Sequence, residues 1–516
     1  MWWQRRGYLY PSAPGRVYFI SVDHPIVLNQ RGVMLRRIAF HIVVVAPLLT
    51  TASARLEAQS KAAAPRVTIQ AGTLEGSVDS VTKMLVFRGI PYAAPPVGDL
   101  RWRAPRSAAR WQGVRDAGRL GHNCMQTQVY GDIDPFAAGV SEDCLNLNVW
   151  TAGTRGATRP VLVWIHGGGF RAGFGGEARH DGAHLAQKGA VVVTINYRLG
   201  ALGFLAHPAL AAESRRNASG NYGLLDQIEA LRWVRRNIAQ FGGDPSRVTI
   251  FGESAGGMSV GALIVSPLAR GLFHRAILQS GTGIGLGIER RDSAEAHGVK
   301  LAASLGVMGT GREAAAALRA LKADTLAGAV GSSSGLPIQP VLDGWVVPRP
   351  VDSALARGAV NLVPVIVGSN ADESDEIFGA PARAFARLVT ARGARAYLYQ
   401  FTRAGEDSAS RRRGAYHSAE ITFAFGIPRP IQASAGRAAY DAKLANAMSE
   451  YWVAFAISGD PNGSSRARRL PRWPAYDAAT DAYLELGPSI VARRELRKTR
   501  SDSLDVVARG RGGVRP

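Results

Sequence analysis

One short segment of the sequence places a potential nucleophile between a strand pattern and a helix pattern. Ser254 is the centre of Gly252-Glu253-Ser254-Ala255-Gly256, which follows the apolar run 248–251 and precedes the helical stretch 258–265. Glycines at these positions permit a sharp turn that exposes the serine, and the helix N-terminus favours developing negative charge. The segment predicts nucleophilic catalysis by Ser254, with a plain glycine-rich turn as the alternative.

A serine hydroxyl needs a histidine base and an acid that orients the base. After a strand–serine–helix turn of this kind, the acid comes before the histidine in the chain. Of the histidines that follow Ser254, only His417 leaves room for a further strand and an acid-bearing loop. The loop 368–376, after the apolar run 363–367, contains four carboxylates: Asp372, Glu373, Asp375 and Glu376. These residues by themselves leave the choice of acid open.

A second glycine-rich segment predicts backbone donors for the charge that such an attack creates. The apolar run 161–165 leads directly into His166-Gly167-Gly168-Gly169-Phe170. Glycines let the backbone approach a substrate and aim its N–H groups inward, and Ala255 supplies another N–H. A flexible turn without a chemical role is the alternative.

The elements that must position these residues follow the pattern of an α/β fold. Four continuous apolar runs have the length of buried parallel strands: 161–165, 191–195, 248–251 and 363–367. The helical stripe 226–241 precedes the third run, and strand, crossover helix and strand form a βαβ unit. Because no repeat or linker interrupts this pattern, we predict one large domain over residues 67–486.

The composition is that of a folded protein, with 46% hydrophobic and 20% charged residues. A formal net charge of +22 would suit nucleic acid or an anionic surface. The excess is mostly scattered arginine and no nucleic-acid-binding module accompanies it, so we expect no nucleic-acid partner. Residues 487–516 are predicted to be a basic, solvated C-terminal tail.

The N-terminal region contains an export signal in an unusual place. Residues 34–54 combine a positive start, a short apolar stretch and small residues before a cleavage site, which is typical of a signal peptide. A membrane anchor is the alternative, but the apolar stretch is too short to span a bilayer well. We predict that residues 1–33 are translated upstream sequence, that the mature protein is periplasmic or extracellular, and that it has no stable membrane insertion.

Cys124 and Cys144 are the two cysteines of the chain. In an exported protein they suggest a disulfide, with two buried free thiols as the alternative. Neither has the neighbours that a zinc site needs, so we expect no metal.

Several ordered motifs resemble the type B carboxylesterases, the cholinesterase and para-nitrobenzyl esterase branch of the α/β-hydrolase superfamily. They are Phe87-Arg88-Gly89-Ile90-Pro91-Tyr92, Glu142-Asp143-Cys144-Leu145-Asn146-Leu147-Asn148-Val149, Phe241-Gly242-Gly243-Asp244-Pro245 and Trp473-Pro474. The resemblance implies an α/β-hydrolase fold with a mostly parallel central sheet flanked by helices.

The resemblance also implies roles for individual residues. It places the acid at Glu373 and the base at His417, and it implies oxyanion donors at Gly168, Gly169 and Ala255. Ser280 and Glu253 would support this triad, with an ordinary helix-end serine as the alternative for Ser280. The remaining implications are a Cys124–Cys144 disulfide and the structural ion pairs Arg101–Glu142 and Arg198–Asp226.

Two departures from the family pattern bear on these implications. Ser374 stands where glycine commonly follows the acid. The segment 125–143 lacks the tryptophan with which cholinesterases hold a quaternary ammonium group, and Tyr130 is a weak substitute. Choline esters are therefore poor candidate substrates.

Together these features predict an exported serine carboxylesterase that acts through an acyl-enzyme on a small-molecule ester, without a cofactor. Activity should fall as His417 is protonated, below about pH 6 to 7. A lipase or amidase with the same triad is one alternative, and a neuroligin-like binding module without catalysis is another. The natural ester and the oligomeric state stay open.

Overall fold

A computed structural model describes residues 64–130, 133, 138–154, 158–330, 336–405, 412–427 and 435–496. The predicted upstream segment 1–33, the predicted signal peptide 34–54 and residues 497–516 of the predicted tail lie outside the described residues. The described strands are β1 Arg66–Ile69, β2 Gly72–Glu75, β3 Ser77–Val78, β4 Leu85–Pro91, β5 Val114–Asp116, β6 Asn123–Cys124, β7 Val140–Ser141, β8 Asn146–Thr151, β9 Arg159–Ile165, β10 Val191–Ile195, β11 Gly243–Glu253, β12 Arg275–Gln279, β13 Glu289–Arg290, β14 Val341–Leu342, β15 Val365–Asn370, β16 Ala396–Phe401, β17 Tyr483–Leu486 and β18 Ile490–Arg493.

The described helices are α1 Ala183–Gln187, α2 Gly200–Phe204, α3 Pro208–Ala212, α4 Tyr222–Asn237, α5 Ala255–Val265, α6 Arg291–Ser304, α7 Arg312–Ala320, α8 Ala323–Gly328, α9 Val351–Arg357, α10 Ala380–Thr390, α11 Ile421–Ala424 and α12 Ala435–Ser458. A single wide turn, Asp375–Gly379, leads into α10. Among the described residues, no helix has both the length and the apolar character needed to cross a membrane.

The central sheet contains eleven strands in the order β18-β17-β16-β15-β12-β11-β9-β10-β8-β4-β3. The seven strands from β17 to β10 are parallel to one another, and the antiparallel pairs lie towards the two edges. Every residue of β10, β15 and β16 is buried, because helices cover both faces of the sheet. The described part of the chain forms one compact unit. The single-domain α/β architecture with a mostly parallel sheet is confirmed.

Three boundaries differ from the sequence predictions. The helix predicted over 226–241 begins at Tyr222 and ends as an α-helix at Asn237, after which a tighter turn continues to Phe241. The strand predicted over 363–367 begins at Val365 and extends to Asn370. The predicted tail begins too early at 487, because β18 pairs antiparallel with β17.

Parallel order brings the catalytic candidates together. Ser254 follows β11, Glu373 follows β15 and the 166–170 glycine segment follows β9. The carboxyl ends of parallel strands lie at one edge of a sheet, which is where such folds bind ligands.

Candidate active site

The turn at Ser254 is as sharp as its glycines predict. β11 ends at Glu253 and α5 begins at Ala255, which leaves Ser254 between them with φ 56° and ψ −123°, a conformation that is rare for a residue with a side chain. A Cβ atom added to Gly256 would lie 2.0 Å from the Ile165 carbonyl oxygen. One added to Gly252 would lie 2.6 Å from the carbonyl carbon of Gly256. The motif is therefore glycine-rich because β9 packs directly against the turn.

His417 and Glu373 are joined by a short hydrogen bond. Nδ1 of His417 lies 2.7 Å from Oε2 of Glu373, whose side chain is only 2% exposed. The other carboxylate oxygen of Glu373 accepts hydrogen bonds from the Ser280 hydroxyl and the Asn370 backbone N–H, both at 2.8 Å. The carboxylate is thus fixed on both oxygens and holds the imidazole by one edge.

Of the other acids in this loop, Asp372 has a different function. Its carboxylate accepts the backbone N–H of Ala415 at 2.7 Å and so fastens the acid loop to the segment that carries His417. Phe378 packs flat against the imidazole, with ring centroids 4.5 Å apart and planes inclined by 19°. Rotation of the ring is therefore restricted by the Glu373 bond at its edge and by Phe378 on its face.

Glu253 approaches the opposite nitrogen of the same histidine. Its Oε1 lies 3.2 Å from Nε2 of His417, and its side chain is 4% exposed. Between the two described side chains of Ser254 and His417 there is no hydrogen bond, so Nε2 faces Glu253 in this state. Catalytic hydrogen bonds are often long or misaligned before substrate binds.

Burial and the charges in this cluster shift the pKa values of both Glu253 and His417. Burial raises the pKa of Glu253, positive charge on His417 lowers it, and the nearby carboxylates Glu420 and Glu373 raise it. Burial lowers the pKa of His417, but the carboxylates of Glu253 and Glu373 outweigh this effect and raise the pKa of His417 to about 9. His417 therefore holds its proton to a higher pH than an ordinary histidine.

The glycine turn after β9 is shaped to present backbone donors. Gly168 has φ 96° and Gly169 has φ 61°, and the N–H groups of Arg171 and Ala172 both donate to the Gly168 carbonyl at 3.0 Å. Within the described backbone, the N–H groups of Gly168, Gly169 and Ala255 donate to no protein acceptor. An oxyanion is the ligand that such unpaired amides suit.

Comparison with known proteins decides the family. The model of the carboxylesterase family matches residues 63–377 and 373–504. The protein belongs to the carboxylesterase family.

Relatives of this carboxylesterase include fumonisin B1 esterase of Sphingopyxis macrogoltabida, which is 38% identical over 79% of this chain and 84% of the relative. Para-nitrobenzyl esterase of Bacillus subtilis (strain 168) is 33% identical over 83% of this chain and 96% of the relative. A carboxylesterase of Geobacillus stearothermophilus, solved at pH 6.2, superposes with a TM-score of 0.74 at 32% identity and covers 85% of this chain and 99% of that one. The carboxylesterase thus has the α/β-hydrolase fold and is a carboxylic ester hydrolase. This finding argues against the alternative of a neuroligin-like binding module without catalysis.

This carboxylesterase contains a disulfide and two ion pairs at the positions that the family resemblance implies. Cys124 and Cys144 are disulfide-bonded. Arg101 binds Glu142 through two hydrogen bonds of 2.7 and 2.5 Å. Arg198 binds Asp226 through two of 2.7 and 2.6 Å in a buried pair. Asp226 lies on α4 and Arg198 follows β10, so this pair joins a covering helix to the sheet.

Two residues that surround the triad, Glu420 and Phe378, were not predicted from the sequence. Glu420 is fully buried and accepts hydrogen bonds from Gln279 Nε2 at 3.2 Å and Asn370 Nδ2 at 2.6 Å. Its place only three residues after the candidate base His417, in the turn that precedes α11, was the available signal. Phe378 gave no signal, since a wide turn brings it over the imidazole. Within the described residues, no group of three or more His, Cys, Asp or Glu side chains is arranged to hold a metal ion.

Proposed function

We propose that this carboxylesterase is an exported enzyme that cleaves esters through a Ser254–His417–Glu373 triad. The observation that carries the mechanism is the 2.7 Å bond between His417 and Glu373 beside a serine on a strained strand-to-helix turn.

In the first half of the reaction, His417 Nε2 accepts the Ser254 proton as the serine oxygen bonds to the ester carbonyl carbon. The resulting oxyanion accepts hydrogen bonds from the free N–H groups of Gly168, Gly169 and Ala255. Each such donor lowers the barrier by roughly 3 kcal/mol. Collapse of the intermediate breaks the bond to the alcohol oxygen, and His417 returns its proton to the leaving alcohol.

In the second half, His417 takes a proton from water, which attacks the acyl-enzyme, and the acid is released with Ser254 restored. Both halves require a neutral imidazole at the start. Because the surrounding carboxylates raise the pKa of His417, we expect the acid limb of the pH–activity profile of the free enzyme to lie above the pH 6 to 7 of an ordinary histidine.

Replacement of the nucleophile tests this mechanism. Ser254→Ala should remove nearly all hydrolysis of a short-chain nitrophenyl ester, whereas Ser293→Ala, at the start of α6, should leave turnover unchanged. If Ser254→Ala keeps wild-type turnover, the proposed triad is wrong.

Export is proposed from two independent features. Residues 34–54 have the order of a signal peptide, and the disulfide between Cys124 and Cys144 suits an oxidising compartment. N-terminal sequencing of material recovered outside the cytoplasm should find a start near Arg55. A mature product that retains Trp2 and Trp3 would contradict both the signal assignment and the upstream assignment of residues 1–33.

The ester itself is best found with a panel in which acyl and alcohol length vary separately. Fumonisin B1 and a para-nitrobenzyl ester belong in that panel because two relatives carry these names. The pair of lengths with the highest kcat/KM defines the substrate class.

A further inference from the structure

The loop closed by the Cys124–Cys144 disulfide is fastened to the glycine turn that follows β9. Gln126, which is buried, donates from Nε2 to the Gly173 carbonyl at 3.0 Å and accepts the Gly173 N–H at 2.8 Å. The same Nε2 also donates to the Cys124 carbonyl at 3.0 Å. These two hydrogen bonds to Gly173 fix the start of the disulfide loop relative to the backbone that follows the glycine turn 166–170.

Four residues after Gln126, the loop brings a tyrosine hydroxyl to Gly169. A Cβ atom added to Gly169 would lie 2.6 Å from the Tyr130 hydroxyl oxygen and 3.7 Å from the ring carbon that carries it. The hydroxyl, and not the face of the ring, is therefore the part of Tyr130 nearest this glycine. Any side chain at position 169 would displace it.

The Tyr130 hydroxyl has no hydrogen-bond partner among the described residues, and Tyr130 is 39% exposed. A polar group next to a turn of free amides, itself without a protein acceptor, is available for a substrate atom. As a substitute for a cation-binding tryptophan, Tyr130 would use the face of its ring, whereas its hydroxyl is the part that lies at Gly169.

Distances allow one oxygen to accept from both groups. The amide nitrogen of a residue lies about 2.5 Å from its Cβ position, so the Tyr130 oxygen is at most about 5 Å from the Gly169 nitrogen. Two donors that each approach the same oxygen at about 2.8 Å can be as much as about 5.5 Å apart. A single oxyanion can therefore bridge them.

We propose that Tyr130 is a catalytic residue whose hydroxyl donates a hydrogen bond to the oxyanion beside Gly169. The proposal rests on the proposed attack by Ser254, which creates that oxyanion. The hydroxyl keeps its proton, and no bond other than the hydrogen bond forms or breaks at Tyr130. Because the negative charge exists only in the transition state and the intermediate, the contribution falls on kcat and much less on KM.

Tyr130→Phe removes one oxygen atom and no hydrogen bond among the described residues. We expect kcat for a nitrophenyl ester to fall by about 10- to 100-fold, with KM within about twofold and an unchanged melting temperature. The inhibition constant of a trifluoromethyl ketone, which forms the same tetrahedral oxyanion with the serine, should rise by the factor by which kcat/KM falls. The matched control is Tyr440→Phe. Tyr440 lies on helix α12, and this substitution removes a hydroxyl that donates a hydrogen bond to the Gly487 carbonyl.

An unchanged kcat in Tyr130→Phe, with active wild-type enzyme, would overturn this proposal and leave the triad standing. A wild-type enzyme that is as inactive as Ser254→Ala would instead overturn the proposed function.

The Gln126 tether gives a second, independent test. Gln126→Leu should lower kcat because the hydroxyl is no longer held at Gly169, and the two losses should not multiply in the Gln126→Leu/Tyr130→Phe double variant. Losses that multiply would show that Gln126 does not act through Tyr130, and would contradict the positioning argument.

Discussion

Glu253 offers a quantitative test of the electrostatics around His417. Replacing it by glutamine keeps the size of the side chain but removes a buried carboxylate 3.2 Å from Nε2 of His417. This carboxylate favours the charged imidazolium, so its loss should lower the pKa of His417 and leave the base neutral at a lower pH. The acid limb of the pH–activity profile should therefore move to lower pH.

The size of the shift follows from the distance. Two unit charges at 3.2 Å interact by about 1.3 kcal/mol in water and by about 5 kcal/mol at an effective dielectric constant of about 20. One pKa unit corresponds to about 1.36 kcal/mol. Because the imidazole is 37% exposed and partly screened by water, the lower part of this range applies. We expect the acid limb to move down by about one to two pH units.

The assay is kcat/KM for a nitrophenyl ester between about pH 5 and pH 10, a profile that reports the free enzyme. Glu295→Gln, which removes a glutamate charge from α6, is the control and should leave the limb in place. An acid limb that stays at the wild-type pH in Glu253→Gln would refute the assignment of Glu253 as a charge acting on His417.

Three further predictions concern stability. Gly256→Ala should lower the free energy of unfolding by several kcal/mol or prevent folding, because the new methyl would overlap a β9 carbonyl, and urea denaturation of the soluble fraction measures this. Asp226→Ala should cost about 3 to 5 kcal/mol in the same assay because it leaves the Arg198 guanidinium buried without its carboxylate; a cost below 1 kcal/mol would contradict a structural role for the pair. The double variant Cys124→Ala/Cys144→Ala should lose roughly 3 kcal/mol, and reducing agent should lower the melting temperature of the wild type but not of this variant.

The local part of the site was predictable from the sequence. Ser254, its flanking glycines and the 166–170 turn are each specified within a few residues, because strand, turn and helix signals are short-range. The parallel runs also predicted which edge of the sheet would collect these segments. His417 could be chosen by chain order, whereas four carboxylates near β15 were indistinguishable without the family resemblance.

What the sequence left out arises from long-range packing. Glu253 and Glu373 approach His417 from the ends of two different strands, so the raised pKa of the base depends on a cluster that no single motif contains. The expectation that activity falls below about pH 6 to 7 assumed an ordinary histidine, whereas the buried carboxylates around His417 favour its protonated form and predict a fall at higher pH. The sequence indicates only the ring of Tyr130, because the position of its hydroxyl depends on how the disulfide loop packs against Gly169.

Covalent labelling tests the central claim, that Ser254 is a nucleophile activated by His417, most directly. Wild-type enzyme is treated with a fluorophosphonate, digested, and the modified peptide is sequenced by tandem mass spectrometry. We predict one modification per chain, on Ser254, with a labelling rate that falls as pH decreases through the His417 pKa and that is abolished in His417→Ala. Active esterase that is labelled at another residue, or that is not labelled at all, would contradict the claim.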